Sequence, residues 1–314
     1  PDAEGHWTDD NHVVLGHRRL SILDTSQGAN QPMTSCCGRY ILAFNGEVYN
    51  YQELKQELDY PFQTTGDSEV VLAAFKAWGK AALQRFNGMF AIALWDTQEE
   101  TLMLARDRMG IKPLYVHQDS TGLLWASEIR ALLASGRVKR KLSRSGLVDF
   151  LRYQTVHGPD TLIEGVRMLP AGHWLMADDS EVVTECWWDA ASASHSIAEL
   201  GEPWTYRKGP AAERVRSILM DSVDLRMRSD VPFGAFLSGG IDSSAVVALM
   251  SEVGQQPVST FNIAFHEDGF DESQYARLIA KKYGTDHHEI RLSADDFLAA
   301  VPDALAGTDH PSGD

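Results

Sequence analysis

Phe236-Leu-Ser-Gly-Gly-Ile-Asp-Ser-Ser244 decides how the second half of this chain is read. An apolar run from Val231 to Leu237 precedes the serines and glycines, and Ala-Val-Val-Ala-Leu-Met follows them. The stretch therefore reads as buried strand, glycine turn and helix N-terminus. Gly239 and Gly240 let the backbone turn tightly and bring its N–H groups close to a ligand. A helix starting there adds unpaired N–H donors and a positive dipole end, which suits phosphate oxygens. Ser238, Ser243 and Ser244 supply hydroxyls. Asp242 would be repelled by a polyphosphate without a metal, so its carboxylate argues for Mg²⁺. The chain contains no G-x-x-x-x-G-K-[ST], which excludes the Walker-type loop. The bland alternative is a serine-rich helix cap; strand before and helix after weigh against it.

Outward from this loop the rhythm is strand and helix in alternation. A helix pattern over 211–228 leads in. Helix 242–253, strand 258–265, helix 272–283, strand 287–292 and helix 294–306 follow. Such alternation predicts an α/β domain with a doubly wound parallel sheet and ligands at the strand C-termini. About three βα units fit before Asp314, fewer than such a sheet usually has, so the domain reads as cut short. Upstream, residues 189–210 are small, polar and rich in helix breakers, the signature of a linker. Residues 1–188 are strand-rich, with candidates at 13–15, 40–44, 90–95, 101–106, 114–117, 123–126 and 173–176. Helix patterns interrupt them at 51–58, 69–78 and 144–153. Hairpins with a few helices predict an α+β domain of layered sheets. The domain boundaries read as 1–188, a linker over 189–210, and 211–314.

At 314 residues and 44% hydrophobic content the chain is long enough for two packed cores. Its apolar stretches are too short to span a bilayer, and no signal peptide begins it. The start at Pro1 suggests a piece of a longer or processed polypeptide. A net charge of −16 disfavours nucleic-acid phosphates. The one dense basic cluster, Arg137-Val-Lys-Arg-Lys141, reads as a solvated loop. Three cysteines, Cys36, Cys37 and Cys186, show no metal spacing and fit a reducing cytoplasm. The first two read as turn residues.

A second constellation lies in the first half. Asn45-Gly46 after the 40–44 strand reads most simply as a hairpin turn. Yet Asn45 offers a side-chain NH₂ and Gly46 a backbone N–H in one place, which suits an oxyanion hole. In Gly16-His-Arg-Arg-Leu-Ser-Ile-Leu-Asp24 adjacent strand residues face opposite ways, so one of Arg18 and Arg19 can reach a pocket and grip a carboxylate. Asp67, in Thr65-Gly66-Asp67-Ser68-Glu69, stands near a helix N-cap, where capping is its simplest role. An amino-acid pocket needs a cation, an anion and carbonyl-directed donors. These three features supply that set.

The loop Ser-Gly-Gly-Ile-Asp-Ser resembles the PP-loop of ATP pyrophosphatases. Over the whole chain the sequence resembles the glutamine-hydrolysing asparagine synthetase family. The match is carried in order by Pro1-Asp-Ala-Glu-Gly, Gly16 to Asp24, Gln31-Pro-Met33, Phe44 to Asn50, Thr65 to Glu69 and Gly88-Met-Phe-Ala91. It continues through Arg106 to Tyr115, Ala126-Ser-Glu128, Leu169 to Gly172, Ser229 to Pro232, Leu237 to Ser244, Phe270-Asp-Glu272 and His287-His-Glu289. The resemblance implies an N-terminal-nucleophile (Ntn) glutaminase of αββα architecture followed by a PP-loop synthetase domain. The implied chemistry hydrolyses glutamine to ammonia, adenylates aspartate to β-aspartyl-AMP, and displaces AMP with ammonia to give asparagine. By motif position Arg19 would bind the glutamine carboxylate, Glu47 and Asp67 its ammonium, and Asn45 with Gly46 the oxyanion. Leu237 and Ile263 would line the adenine. Ser238, Gly239, Gly240, Ser243 and Ser244 would cradle phosphates, and Asp242 would meet Mg²⁺–pyrophosphate. ATP with Mg²⁺ is then a substrate, no tightly bound organic cofactor is implied, and a homodimer is allowed.

The chain departs from the family in three places. The family's N-terminal nucleophilic cysteine has no counterpart among the three cysteines. The later SGxGGDE-type segment would lie past Asp314, and His310 stands where many members carry glutamate. The expectation is that this polypeptide alone turns over neither glutamine nor aspartate. The alternatives are an amidotransferase acting on another carboxylate, in a sugar or a peptide, or a β-lactam-synthetase-like enzyme. Arg19, Asn45, Gly46 and Asp67 count against the latter. A tRNA-modifying ATP pyrophosphatase is disfavoured by charge, and a non-catalytic binding module remains a third reading. His287, His288 and Glu289 are adjacent strand residues that diverge, so they make a poor metal site.

Overall fold

The computed structural model describes residues 1–192, 208–254, 256–266 and 271–309. The chain divides into two compact units, residues 1–201 with 308–314, and residues 202–307.

The first unit is built on β5 (Gly88–Asp96), whose sequence Gly-Met-Phe-Ala-Ile-Ala-Leu-Trp-Asp is apolar on both faces and buried from Phe90 onward. A strand apolar on both faces must be covered on both, and it is. β4 (Tyr40–Val48) and β6 (Thr101–Arg106) flank it in a six-stranded antiparallel sheet. β3 (Met33–Thr34) closes the β4 side; β10 (His173–Ala177) and β11 (Val182–Cys186) extend the other. On one face Phe44, Phe90, Ile92 and Leu94 pack against α1 (Tyr51–Glu57), α2 (Asp67–Trp78) and α3 (Ala82–Arg85). On the other, Ile41, Ala91, Ala93, Trp95 and Leu104 meet the ribbon of β1 (Ala3–Thr8) and β2 (Val14–Arg19). Beside that ribbon they meet a second sheet, in the order β8 (Gly122–Ala126), β7 (Tyr115–Asp119), β9 (Arg167–Met168). Ile129 and Leu132 of α4 (Ile129–Ala134) cover the far side of that sheet. The layers run α, β, β, α, the Ntn-type sandwich. α5 (Arg144–Tyr153) lies beyond, capped by Ser143 and buried at Gly146.

Two features of this unit differ from expectation. Asn45 and Gly46 are not a hairpin turn. β4 runs straight through them, pairing Asn45 with Ala91 and Gly46 with Phe90. The turn signal loses because β5 offers nine consecutive partners. β1, β3, β9, β11, α3 and α4, each of six residues or fewer, are not among the elements read from the sequence. The cysteine turn is as read: Gly38 N–H closes onto Ser35 C=O at 2.8 Å. In the basic cluster Arg137 pairs with Asp119 and Lys141 with Glu164.

The second unit comprises α6 (Lys208–Arg226), β12 (Gly234–Phe236), α7 (Ile241–Val253), β13 (Ser259–Phe265), α8 (Ser273–Tyr283), β14 (Asp286–Leu292) and α9 (Ala294–Gly307). The strands are parallel in the order β12-β13-β14. Thr260, Asn262 and Ala264 of β13 face inward, whereas Phe261 and Ile263 are 39% and 50% exposed. Leu237 and Val247 pack with Ala276 and Ala280 of α8 on the inward side. The strand before the loop is therefore not buried as expected. It is three residues long, at the sheet edge, and Phe236 is 82% exposed on the open face. Phe270, residues 193–207 of the linker, and His310 to Asp314 lie outside the described residues.

Candidate functional site

A cleft of about 1010 Å³ in the first unit is lined by Arg19, Asn45, Gly46, Glu47 and Asp67 together. Five residues singled out from separate stretches thus converge. Strand alternation decides which arginine contributes: Arg18 is exposed and Arg19 is 6% exposed.

Arg19 does not reach into empty space. Its Nη1 donates to Ser26 O (2.9 Å) and Asn30 Oδ1 (3.1 Å), and its Nη2 to Leu23 O (3.0 Å) and Asp24 O. Four of its five N–H groups hold the loop 23–30 in place. What it offers a carboxylate is its charge and Nε–H.

Asp67 is the first residue of α2, with Gly66 at the N-cap. Its carboxyl reaches across to β4, accepting from Val48 N–H at 2.9 Å. Burial pushes its carboxyl up to about 6; the N–H groups of Val48, Asp67 and Ser68 and the charge of Arg19 pull the other way. A buried anion held near neutrality is a ready seat for a cationic group. Glu47, half-buried, lines the same cleft.

Gly46 is required by sterics. A Cβ there would lie 2.1 Å from Met89 O and 2.7 Å from Phe90 Cα. Its partner Phe90 spends both backbone groups on Asp107, donating to Oδ2 (3.1 Å) and accepting from N–H (2.9 Å). Backbone groups alternate between the two edges of a strand, so the Gly46 N–H points away from β5. The side chain of Asn45 lies on the second-sheet face, where Nδ2 donates to Ser127 Oγ at 3.0 Å. One amide N–H stays available. Asn45 and Gly46 can therefore present two donors to one oxygen. Sequence reasoning missed Ser127, His17 and Gln31, all in the lining; their signal was only their place in quoted motifs. No cysteine lines the cleft. Cys36, Cys37 and Cys186 are free and exposed.

In the second unit Gly239 has φ +84°, and a Cβ on it would sit 2.4 Å from Tyr275 Cβ. Only glycine lets the loop lie this close to α8. Gly240 caps α7. Ser238 Oγ accepts from Gly240 N–H (3.2 Å) and meets Ser243 Oγ (3.0 Å). Ser244 Oγ is buried without a hydrogen-bond partner. Asp242 is exposed on the first helical turn. An exposed carboxylate of this kind would suit an oxygen-ligand cation such as Mg²⁺. The side chain of Leu237 is 1% exposed and packs in the core of this unit, whereas Ile263 is 50% exposed. Among the described residues no cluster of three or more His, Cys, Asp or Glu side chains forms a metal site. His287 bonds Thr260, His288 pairs with Asp286, and Glu289 with Arg277 and Arg291. No helix among the described residues is long and apolar enough to cross a membrane.

An αββα sandwich with a cleft lined by charged and amide side chains, followed in the sequence by a parallel-sheet unit with a glycine-serine loop, fits an Ntn-type glutamine amidotransferase joined to a second domain. A family model for the glutamine amidotransferase domain matches residues 1–188, and one for asparagine synthase matches 214–314. The chain belongs to the glutamine amidotransferase family, in the branch of the glutamine-hydrolysing asparagine synthetases. It is 37% identical to a putative asparagine synthetase of Mycobacterium tuberculosis, covering 100% of this chain and 50% of that protein. Asparagine synthetase 1 of Bacillus subtilis is 33% identical, covering 100% and 48%. Asparagine synthetase B of Escherichia coli is 31% identical, covering 97% and 51%. The chain spans about half the length of these curated relatives.

Proposed function

We propose that residues 1–188 form the glutamine site of an ATP-dependent amide ligase and that 211–314 carry its phosphate-binding loop. In this reading glutamine lies in the cleft with its carboxylate toward Arg19 and its ammonium between Glu47 and Asp67. Its carboxamide oxygen takes the Asn45 Nδ2–H and the Gly46 N–H. Those donors stabilise charge that develops on the oxygen as the amide is attacked. The attacking group belongs to none of the three cysteines, which all lie outside the cleft. In the second unit the N–H groups around Gly239 and Gly240 and the serine hydroxyls hold the β and γ phosphates. Asp242 holds Mg²⁺, which would neutralise the departing pyrophosphate. The acceptor is aspartate, activated as β-aspartyl-AMP, so that ammonia displaces AMP. An ionised carboxylate is a poor acyl donor, which is why ATP is spent.

The observation that carries this reading is the convergence of Arg19, Asn45, Gly46, Glu47 and Asp67 in one cleft. Calorimetric titration of the 314-residue chain with L-glutamine tests it. Saturable one-site binding, lost in Asp67→Asn and absent for D-glutamine, is expected. No heat, or heat unchanged in the variant, refutes it. A parallel titration with Mg²⁺–ATP should weaken in Asp242→Ala; equal affinity would remove the loop from the reading.

A further inference from the structure

β4 is paired on only part of one edge. β3 covers Ile41 and Leu42 and then stops. Phe44, two residues on, shows its N–H and C=O to the same edge, with no strand opposite among the described residues. Unpaired backbone groups at a buried position cost about as much as a lost hydrogen bond, and here two side chains replace the strand. Gln31 Oε1 accepts from Phe44 N–H at 2.6 Å, and His17 Nε2 lies 3.1 Å from Phe44 O. Gln31 is itself fixed, 6% exposed, its Nε2 donating to Ser68 Oγ at 3.2 Å next to Asp67.

The protonation of His17 follows from its partner. A carbonyl oxygen only accepts, so Nε2 must carry the hydrogen. Nδ1 is buried with no hydrogen-bond partner. A second proton there would create an unpaired buried cation near Arg19. Desolvation, the largest cause, lowers the pKa of this histidine. The ring is therefore neutral and acts as a fixed donor, not as a proton shuttle.

We propose that His17 and Gln31 are positioning residues for the donor pair at Asn45–Gly46. They clamp the peptide groups of Phe44 in the absence of a neighbouring strand. The next residue then turns its amide toward Ser127, and the one after turns its N–H toward the cleft. Neither side chain touches substrate in this scheme. Their effect is on the angle of the two donors, because a strand edge held by nothing would twist and carry Gly46 N–H with it. The inference rests on the glutamine reading of the cleft.

The test uses the full chain with glutamine labelled with ¹³C at the side-chain carboxamide. In the parent the bound carboxamide resonance should move downfield, as an oxygen receiving two hydrogen bonds does. His17→Phe and Gln31→Met should lose most of that displacement and about fivefold in affinity, the worth of one hydrogen bond. Gln31→Glu, which keeps the acceptor for Phe44 N–H, should retain more of the displacement than Gln31→Met. A merely structural role would alter melting temperature and affinity and leave the bound resonance where it was. That result overturns the proposal while leaving the glutamine reading intact. Absence of glutamine binding by the parent sinks both. As an independent check, the ¹⁵N spectrum of His17 should show protonated Nε2 and bare Nδ1 at neutral pH; the opposite tautomer overturns the clamp.

Discussion

Replacing Asp67 by asparagine separates the cost of its charge from its use. In the fold its carboxyl is raised to about 6 from 3.8, chiefly by burial. The folded state therefore holds the proton more tightly than the unfolded chain between about pH 4 and pH 6. Stability contributed by this group is full below that window and is lost as pH rises through it. Two pKa units correspond to about 3 kcal/mol of strain once the group is ionised, at ~1.4 kcal/mol per unit. Asparagine cannot ionise, and its Oδ1 can keep the bond from Val48 N–H. The absolute stability of Asp67→Asn also contains the cost of burying an extra NH₂. The pH-dependence of the difference between variant and parent does not contain it. That difference should move in favour of the variant by about 2 kcal/mol between pH 4.5 and pH 7, a relative gain of roughly 4–8 °C for a unit this size. Tryptophan fluorescence is the assay, since seven of the eight tryptophans, Trp7 to Trp188, lie in the first unit. All other titrating groups are common to both proteins and cancel. A difference that stays constant across this range, or one that moves in favour of the parent as pH rises, would show that the carboxylate is not strained, and the site would lose its poised anion. Glutamine should bind the parent better above pH 6 than below, because its ammonium needs the ionised form.

Gly46→Ala should separate β4 from β5, since the new methyl meets Met89 O at 2.1 Å; a loss of about 3 kcal/mol or more in urea unfolding is expected, as for a forced fit in a packed core, and a loss under 1 would be incompatible with this packing. Gly239→Ala meets both a positive φ and Tyr275, so Mg²⁺–ATP binding should fall more than the stability of the first unit, read by titration beside tryptophan fluorescence. Asp107, 0% exposed, accepts from Phe90, Met109, Ile111 and Lys112 N–H groups. Asp107→Ala strands those donors and should cost about 3–5 kcal/mol, measured as a fall in the urea midpoint.

Much of the αββα unit was legible because its central strands carry long apolar runs and its helices begin at recognisable breaks. Helix α5 and strand β6 fall where pattern alone puts them. Short elements that are held by neighbours were not legible. β3 is two residues long and is defined only by its register against Leu42 and Ile41. The motif Arg106-Asp-Arg-Met-Gly-Ile-Lys-Pro carries part of the resemblance, and its Arg106 and Asp107 are spent on backbone. Arg106 donates to Lys112, Leu169 and Gly110 carbonyls. Charge in a sequence does not reveal whether it faces a ligand or a loop, because that depends on how the chain folds back around it, here through Gly110, Lys112 and the distant Leu169.

The same limit explains Asn45-Gly46. Its local signal is a turn, and local energetics alone would make one. A strand passes through instead because Phe44 and Val48 on either side are core residues, 2% and 0% exposed, facing α1 and α2. Turning at Asn45 would take Val48 out of that core at a cost of roughly 1.5–3 kcal/mol, before the lost β-pairs are counted. Tertiary burial thus overrides a strong turn former. The residue pair keeps what made it turn-like: a short amide side chain and a backbone without Cβ. In the proposed reading those two properties let a ligand oxygen approach closely. A departure from local preference at this position therefore falls on the cleft lining, where Gly46 is also the residue that the pairing with β5 requires, since a Cβ there would meet Met89 O at 2.1 Å.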